Sequence, residues 1–200
     1  MPAMPKTMPA AAATAGAAGA AAPVAPVAIC ALPGAQLRAL AHADLPGLRA
    51  VQHACYGAAF IESTAVFAQR LASPANCSLV LVQTGQVCAY LAAYHSVRGK
   101  VTPLHGDFEA TAQPNTLYLH DMAVLPALAG RGLAGALLAL LWQQAQARGL
   151  QHSALVSVQG SHPYWARHGY STLPVLDAAQ RQHLASYGDG AVYMGKRLGQ

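Results

Sequence analysis

Two segments early in the chain carry apolar residues at helical intervals. In residues 44–55 (DLPGLRAVQHAC), Leu48, Val51 and Cys55 fall three or four positions apart, behind an aspartate at the usual place of an N-cap. Residues 63–71 (STAVFAQRL) repeat the pattern over a shorter length. The spacing therefore predicts two short helices joined by the loop YGAAFIE.

Apolar runs elsewhere predict strands. CSLVLVQT and VCAYLAAYHS flank Gly85 and Gln86, a two-residue connection typical of an antiparallel hairpin. Further strands are predicted over residues 35–40, 116–124, 152–158 and 191–198. Helices are predicted over residues 132–148 and 161–168, each followed by a glycine. This order of elements predicts an α/β fold with a mixed sheet.

Composition restricts the kind of protein. Two hundred residues that are 54% hydrophobic suffice for one domain with a core, and no run has the ~20 strongly apolar residues of a membrane span. The net charge of +5 reflects seven acidic residues against twelve scattered Lys and Arg. We therefore expect no nucleic-acid or membrane partner, although a mildly positive surface favours an anionic small ligand.

The first 28 residues differ from the rest in being almost entirely Ala, Pro, Gly and Thr. They offer too little apolar surface to offset the entropy of ordering, so we predict a disordered leader over 1–28 and one domain over 29–200. A secretory signal is the alternative, although prolines interrupt its apolar stretch. No CxxC spacing links the cysteines, so buried free thiols and a cytoplasmic location are expected; they are Cys30, Cys55, Cys77 and Cys88.

Residues 129–135 (AGRGLAG) connect a predicted strand to a helix without a Ser, Thr, Asp or Asn at the N-cap. Glycines at 130, 132 and 135 leave the backbone open, and the amides at the helix start favour a phosphate or pyrophosphate. Arg131 adds a positive charge. The alternative is that these glycines only permit close packing.

In context, this turn resembles motif A, [QR]xxGx[GA], of the GNAT superfamily of N-acetyltransferases, with Ala129 where Gln or Arg is usual. MAVLP precedes the turn, and PYWARHGY resembles the family's motif B, FYxxxGF. The resemblance covers about residues 36–198. It implies the GNAT fold, an α/β architecture in which helices flank a mixed, mostly antiparallel sheet of six to seven strands.

The same resemblance implies acetyl-CoA as co-substrate. Its pantetheine arm would pair with the backbone of Met122, Ala123 and Val124, and the thioester carbonyl would meet the Met122 N–H, an oxyanion donor. The remaining cofactor-binding positions would hold the pyrophosphate; they are Ala129, Gly130, Arg131, Gly132, Leu133, Ala134 and Gly135.

The strand LYLHDMAV offers a base. By period two, Tyr118, His120 and Met122 share one face and Leu119, Asp121 and Ala123 the other. An imidazole with a pKa near ~6.5 suits proton removal from an amine, so His120 is the predicted catalytic base; a structural histidine bonded to the backbone is the alternative. The strand also resembles that of serotonin (arylalkylamine) N-acetyltransferases, in which a histidine matching His120 removes a proton through water. Their second histidine falls at Tyr118.

Many GNAT enzymes protonate the leaving thiolate with a tyrosine, and this chain has Trp165 at that position. An indole N–H is not a useful acid, so the adjacent Tyr164 is the second catalytic candidate. The alternative is that the thiol leaves without an acid.

Four residues are expected to contact the acceptor: Tyr56, Phe60, Glu62 and Tyr118. Glu62 is one of only two glutamates and would bind a substrate ammonium, unless it is a solvated loop acid. His105 and Asp107 precede the strand of His120 and Asp121, but no metal-ligand spacing links them, and no metal is expected.

These features predict an acetyl-CoA-dependent N-acetyltransferase in which a small primary amine, arylalkyl by the subgroup resemblance, attacks the thioester directly. The alternative is a catalytically silent acyl-CoA sensor or interaction module. A homodimer is compatible with the sequence.

Overall fold

The computed structural model describes residues 27–28 and 32–199, so the predicted leader lies outside it except for its last two residues. The strands are β1 (Val27–Ala28), β2 (Ala35–Ala39), β3 (Leu79–Gln83), β4 (Gln86–Ser96), β5 (Thr116–Val124), β6 (His152–Ser157), β7 (Ser171–Thr172) and β8 (Val192–Arg197). The helices are α1 (Leu45–Cys55), α2 (Thr64–Ala72), α3 (Leu133–Ala147), α4 (His162–Arg167) and α5 (Ala178–Ala185).

All eight strands form one sheet in the order β1-β2-β3-β4-β5-β6-β8-β7. Only β5 and β6 run parallel; every other neighbouring pair is antiparallel. Six strands have five or more residues, and β1 and β7 have two each. This arrangement confirms the predicted mixed, mostly antiparallel sheet flanked by helices.

The core has two layers, one on each face of the sheet. On one face, α3 packs its leucine stripe against β3, β4 and β5. On the other face, α1 and α2 pack against tyrosines of β4 and β5. The second layer is aromatic and includes Phe67, Tyr90, Tyr94, Phe108 and Tyr118.

Two local predictions were wrong. Asp44 does not cap α1 with its side chain; its carboxylate instead accepts hydrogen bonds from both terminal nitrogens of Arg38, at 2.7 and 2.8 Å. The hairpin turn lies one residue earlier than predicted, at Thr84 and Gly85, because these two residues take positive φ angles of 47° and 80°. Such a pair of angles fits the twist of an antiparallel hairpin.

Helix α5 was missed by the sequence analysis. Asp177 caps it by accepting a hydrogen bond from the Gln180 N–H at 2.9 Å. The helix is largely polar and packs on the loop before β5, where the Val101 N–H donates to Gln180 Oε1 at 2.7 Å. Tyr187, just beyond the helix, thereby reaches the interior.

No helix among the described residues is both long and apolar enough to cross a membrane.

Candidate functional site

The two parallel strands at the centre of the sheet separate halfway along. β5 pairs with β6 only from Thr116 to Leu119, opposite His152 to Leu155, although β5 continues to Val124. The edge of residues 120–124 on the β6 side is therefore left without a strand partner. A cavity of about 230 Å³ opens there, and its lining includes Tyr56, Phe60, Leu104, Tyr164, Trp165 and Tyr187.

A bulge in β5 lies at the mouth of this opening. Ala92 of β4 pairs with Asp121, and the next residue, Ala93, pairs with Leu119, so His120 has no partner on β4. A residue added to one strand of a pair changes which side chains face each side of the sheet. The alternation of side chains along β5 is therefore broken at His120.

The predicted grouping of faces was wrong beyond that point. Met122 packs on the α3 layer rather than beside His120, whereas Asp121 contacts side chains of α1 and β4 on the opposite face. The bulge thus places the imidazole of His120 and the carboxyl of Asp121 side by side in the lining of one cavity.

His120 is held by a buried carboxylate. Its Nε2 lies 3.1 and 3.3 Å from the two oxygens of Glu62, and only 1% of its side chain is exposed. A structural histidine of the kind considered above would bond a backbone carbonyl instead. The Tyr187 hydroxyl lies 3.4 Å from the other ring nitrogen, Nδ1, and lines the cavity.

Glu62 is itself clamped by Arg70, whose terminal nitrogens donate to its two oxygens at 2.5 and 2.6 Å. The His105 N–H adds a third hydrogen bond at 2.9 Å. Burial alone raises the pKa of a carboxyl, but the hydrogen bonds and positive charge around Glu62 outweigh burial and hold its pKa well below the ordinary range. Glu62 is therefore ionised at neutral pH, with Arg70 as its fixed counter-charge.

The pKa of His120 is also lowered, and for a base this favours the neutral form. Burial lowers the pKa of His120, the nearby Arg70 charge lowers it further, and together they outweigh the attraction of Glu62. The ring is thus neutral at pH 7. Since Nε2 faces an ionised carboxylate, Nε2 carries the hydrogen and Nδ1 keeps the lone pair. The arrangement is that of an oriented base with its accepting nitrogen toward Tyr187.

A second polar cluster surrounds Asp121. The Tyr56 hydroxyl lies 2.7 Å from Asp121 Oδ1 and 2.7 Å from the Met122 carbonyl oxygen. Gln52 Nε2 donates to Asp121 Oδ2 at 3.1 Å, and the Tyr90 hydroxyl donates to the same oxygen. Burial raises the pKa of Asp121, although the tyrosine hydrogen bonds oppose that shift.

Three of the four residues expected to contact the acceptor line the cavity, and one does not. Tyr56, Phe60 and Glu62 line the cavity. Both Glu62 oxygens, however, are engaged by Arg70 and His120, an arrangement that differs from both a free ammonium ligand and a solvated loop acid. Tyr118 does not line the cavity: it is completely buried beneath His120, and its hydroxyl accepts the Thr102 N–H at 3.3 Å. Its predicted contact with an acceptor was wrong because the ring lies inside the aromatic core layer.

Tyr164 and Trp165 both line the cavity on its α4 side. Their rings meet edge to face at 5.1 Å, and Tyr164 packs in the same way on His168 at 4.7 Å. Burial raises the pKa of Tyr164. No hydrogen bond to the Tyr164 hydroxyl is found within the described ranges.

The glycine turn at residues 129–135 is open rather than tightly packed. Gly130 and Gly132 have φ angles of 77° and 75°, a conformation that favours glycine. A Cβ built at either position, or at Gly135, has no neighbouring atom within 4 Å. The alternative explanation by close packing was therefore wrong, since nothing in the described chain occupies this space.

The backbone amides of this turn face that open space. Within residues 32–199, no acceptor bonds the N–H groups of residues 130–135, and the first bond of α3 runs from Ala136 to Gly132 at 3.0 Å. Exposed amides at the start of a fifteen-residue helix form an anion site with the positive end of the helix dipole. These residues can therefore hold a pyrophosphate at the C-terminal end of β5.

Metal ligation was considered for His105, Asp107, His120 and Asp121. In the part of the chain that the structure describes, no group of three or more His, Cys, Asp or Glu side chains is arranged to hold a metal ion. The described cysteines, Cys55, Cys77 and Cys88, are free thiols, and Cys30 lies outside the described residues.

Five members of the site were missed by the sequence analysis: Gln52, Arg70, Tyr90, Asp121 and Tyr187. A signal existed only for Arg70, a charge three residues after the apolar Phe67 on one helix face. No local pattern marks the bulge that turns Asp121 inward, and Tyr187 lies far from His120 in sequence.

Comparison with known proteins finds a matching protein family. The model of the acetyltransferase (GNAT) family matches residues 45–170. No curated protein matches this sequence.

Several solved structures share the fold at low sequence identity. The ribosomal-protein-S18-alanine N-acetyltransferase from Escherichia coli is 18% identical over 83% of this chain and 95% of its own, with a TM-score of 0.59. The loading GNATL domain of CurA from Lyngbya majuscula is 16% identical over 82% of this chain and 98% of its own, with a TM-score of 0.64. A GNAT family acetyltransferase from Brucella melitensis, solved with acetyl-CoA, is 20% identical over 83% of this chain and 89% of its own, with a TM-score of 0.52.

Proposed function

This chain belongs to the GNAT acetyltransferase family, and on that premise we propose that it transfers the acetyl group of acetyl-CoA to a small primary amine by direct attack. The observation that carries the proposal is the free edge of β5, which joins the two chemical parts of the site. One end of this edge leads to the open amides of residues 130–135, and the other end lies at His120.

The free edge suits a pantetheine arm. An extended chain can add to an exposed strand edge through backbone hydrogen bonds, which here would involve Met122, Ala123 and Val124. The pyrophosphate would then rest on the glycine turn, and the thioester would lie in the opening between β5 and β6. The Met122 N–H would stabilise the oxyanion of the tetrahedral intermediate.

His120 supplies the base. An amine must lose a proton to complete its attack on the thioester, and the lone pair of Nδ1 accepts it while Nε2–H stays on Glu62. Because the imidazole is nearly inaccessible, the proton reaches Nδ1 through a water beside Tyr187, whose own hydroxyl hydrogen is donated to the Thr102 carbonyl at 2.8 Å. Glu62 therefore orients the base and balances the imidazolium; in this proposal it does not bind the substrate ammonium.

The lining of the cavity favours a small apolar acceptor. Aromatic and aliphatic side chains make up most of the wall, including Phe60, Leu104 and Val158. A volume of about 230 Å³ suits an aromatic ring on a short alkylamine rather than a folded protein surface. The arylalkylamine subgroup, a cytoplasmic location and a homodimer remain parts of this proposal.

Turnover is expected to depend on pH through His120. The base must be neutral, and its pKa lies below the ordinary value of 6.5, so kcat should fall toward acidic pH with a midpoint below 6.5. The measurement is kcat at saturating acetyl-CoA and amine between about pH 5 and 8. An acidic limb centred above pH 6.5 would contradict a buried neutral imidazole.

The Gly135→Asp variant is expected to weaken the binding of acetyl-CoA without destabilising the fold. An acidic residue in the first turn of α3 is expected to leave stability unchanged or raise it by about 0.3–1 kcal/mol. Like charges about 4 Å apart repel by about 1–4 kcal/mol, so the affinity for acetyl-CoA should fall at least about fivefold. Calorimetric titration is the measurement, and Gly135→Asn is the uncharged control. Equal affinities in the two variants would argue against a pyrophosphate at this turn.

The activity itself is tested by the release of coenzyme A thiol across a panel of arylalkyl, alkyl and amino-acid amines, with products identified by mass spectrometry. Amine-dependent thiol release with a matching N-acetylated product is expected. Tight binding of acetyl-CoA without turnover of any amine would favour the sensor alternative. Tyr164→Phe in the same assay tests whether Tyr164 is the acid, which stays a prediction.

A further inference from the structure

The contacts around Asp121 require more hydrogen atoms than the hydroxyl groups supply. Three short oxygen–oxygen contacts are present: Tyr56 to Asp121 Oδ1, Tyr56 to the Met122 carbonyl, and Tyr90 to Asp121 Oδ2. The two tyrosines provide only two hydroxyl hydrogens, one each. An ionised Asp121 would leave one of the contacts as two oxygens facing each other without a hydrogen.

A proton on Asp121 Oδ1 satisfies every contact. Asp121 then donates to the Tyr56 oxygen, Tyr56 donates to the Met122 carbonyl, and Tyr90 donates to Oδ2. The amide of Gln52 adds a donor to Oδ2 at 3.1 Å, which a protonated carboxyl also accommodates. The hydrogen-bond pattern therefore describes a directed chain from the carboxyl to the backbone at Met122.

We propose that Tyr56 is the acid that protonates the departing coenzyme A thiolate, and that a protonated Asp121 then reprotonates Tyr56. This assignment rests on the proposed acetyl transfer. The reaction then has an acid even though Trp165 stands where many GNAT enzymes carry a tyrosine.

The position of Tyr56 supports this role. The N–H and C=O of one strand residue point to the same side of the strand. The Met122 carbonyl is reached by Tyr56, which comes from outside the β4–β5 pair, so the Met122 N–H points to that side as well. The thioester carbonyl is assigned to this N–H. The Tyr56 hydroxyl consequently lies beside the breaking bond.

The protons balance over one cycle. As the tetrahedral intermediate collapses, the C–S bond breaks and sulfur keeps both electrons. The Tyr56 O–H proton passes to sulfur, and the Asp121 proton replaces it on Tyr56. His120 meanwhile holds the proton taken from the amine. Return of that proton to Asp121, through water in the cavity that both side chains line, restores the starting state, so no net proton is gained or lost.

The groups around Asp121 favour the protonated form. The ionisable side chains that face it are Cys55, Tyr56, Glu62, Tyr90, His120 and Tyr187. Only Glu62 is charged at neutral pH, and its negative charge opposes ionisation of Asp121. Tyr164, by comparison, has no proton source bonded to its hydroxyl among the described residues.

The first test needs no substrate. Infrared difference spectra of wild type against Asp121→Asn, recorded at neutral pH in the free protein, are expected to show the C=O stretch of one protonated carboxyl that the variant lacks. Finding only carboxylate bands would overturn the proposal. Because this experiment involves no turnover, its outcome is independent of whether the acceptor amine has been identified.

The second test measures turnover. Tyr56→Phe is expected to lower kcat by about 10²-fold, within the range for general acids, and to leave the KM for acetyl-CoA unchanged. Wild-type kcat should fall at alkaline pH as Asp121 loses its proton, and Asp121→Asn should lack that alkaline limb.

Tyr193→Phe is the control, because it removes a buried hydroxyl, bonded to the Gly99 N–H at 3.0 Å, away from the cavity. Full kcat in Tyr56→Phe, with a large loss in Tyr164→Phe, would transfer the acid role to Tyr164 and overturn the proposal.

Discussion

His120→Asn is expected to lower kcat by about 10²- to 10⁴-fold, the range for loss of a general base. Asparagine retains a polar group near Glu62 but has no lone pair of suitable basicity toward Tyr187. The attacking amine would then lose its proton only to water. The binding of acetyl-CoA should be unaffected, since the imidazole is assigned no contact with the cofactor. Initial rates at saturating substrates, beside calorimetric titration, separate the two effects.

His53→Asn is the matched control. His53 lies on the exposed side of α1, and its one side-chain hydrogen bond among the described residues is with Arg49. Its replacement should change neither kcat nor affinity. A His120→Asn variant with full turnover at neutral pH would contradict the assignment of the base, whatever the acceptor is.

Arg70→Met is expected to lower the free energy of unfolding by about 3–5 kcal/mol, the usual cost of removing one partner of a buried ion pair. Both Arg70 and Glu62 are 1% exposed, so the Glu62 carboxylate would lose its counter-charge without gaining water. The Gly106 carbonyl would also lose two hydrogen bonds, at 2.9 and 2.8 Å. Urea denaturation of the purified variant measures the loss.

Two further variants sharpen the result. Arg49→Met, on an exposed helix surface, should change stability by no more than about 0.5 kcal/mol. Adding Glu62→Gln to Arg70→Met should recover part of the loss, because the buried charge is then gone. A loss below about 1 kcal/mol in the single variant would show that solvent reaches Glu62 and that the ion pair is not buried.

Much of the fold could be predicted because each element carries its own local signal. The leucine stripe of α3 has helical spacing, and residues that favour turns bound the apolar runs of β4 and β5. The position of the hairpin turn was wrong by one residue because Thr84, which takes a positive φ, is not a residue type that marks such a turn.

The site was predictable where its chemistry is local. Residues 130–135 were singled out because missing side chains at a helix start are visible in the sequence, and His120 because it is the one histidine of the apolar strand β5. The ion pair of Glu62 and Arg70 was not visible, since a loop and a helix must fold together before the two side chains meet.

The bulge at His120 shows the limit most clearly. Period-two alternation assigned Asp121 to the face away from His120, and one unpaired residue reversed that assignment. Whether a strand accommodates an extra residue depends on its neighbours in the sheet, here Ala92 and Ala93 of β4. The inward position of Asp121 could therefore not be predicted from the pattern of apolar and polar residues.

A crystal structure of the acetyl-CoA complex would show where the cofactor binds. We expect the pyrophosphate on the amides of residues 130–135, the pantetheine arm along the free edge of β5, and the thioester carbonyl at the Met122 N–H. The β5–β6 opening would then be filled while its strands stay in place. Acetyl-CoA bound elsewhere, with this opening closed or empty, would contradict the proposed mode of binding.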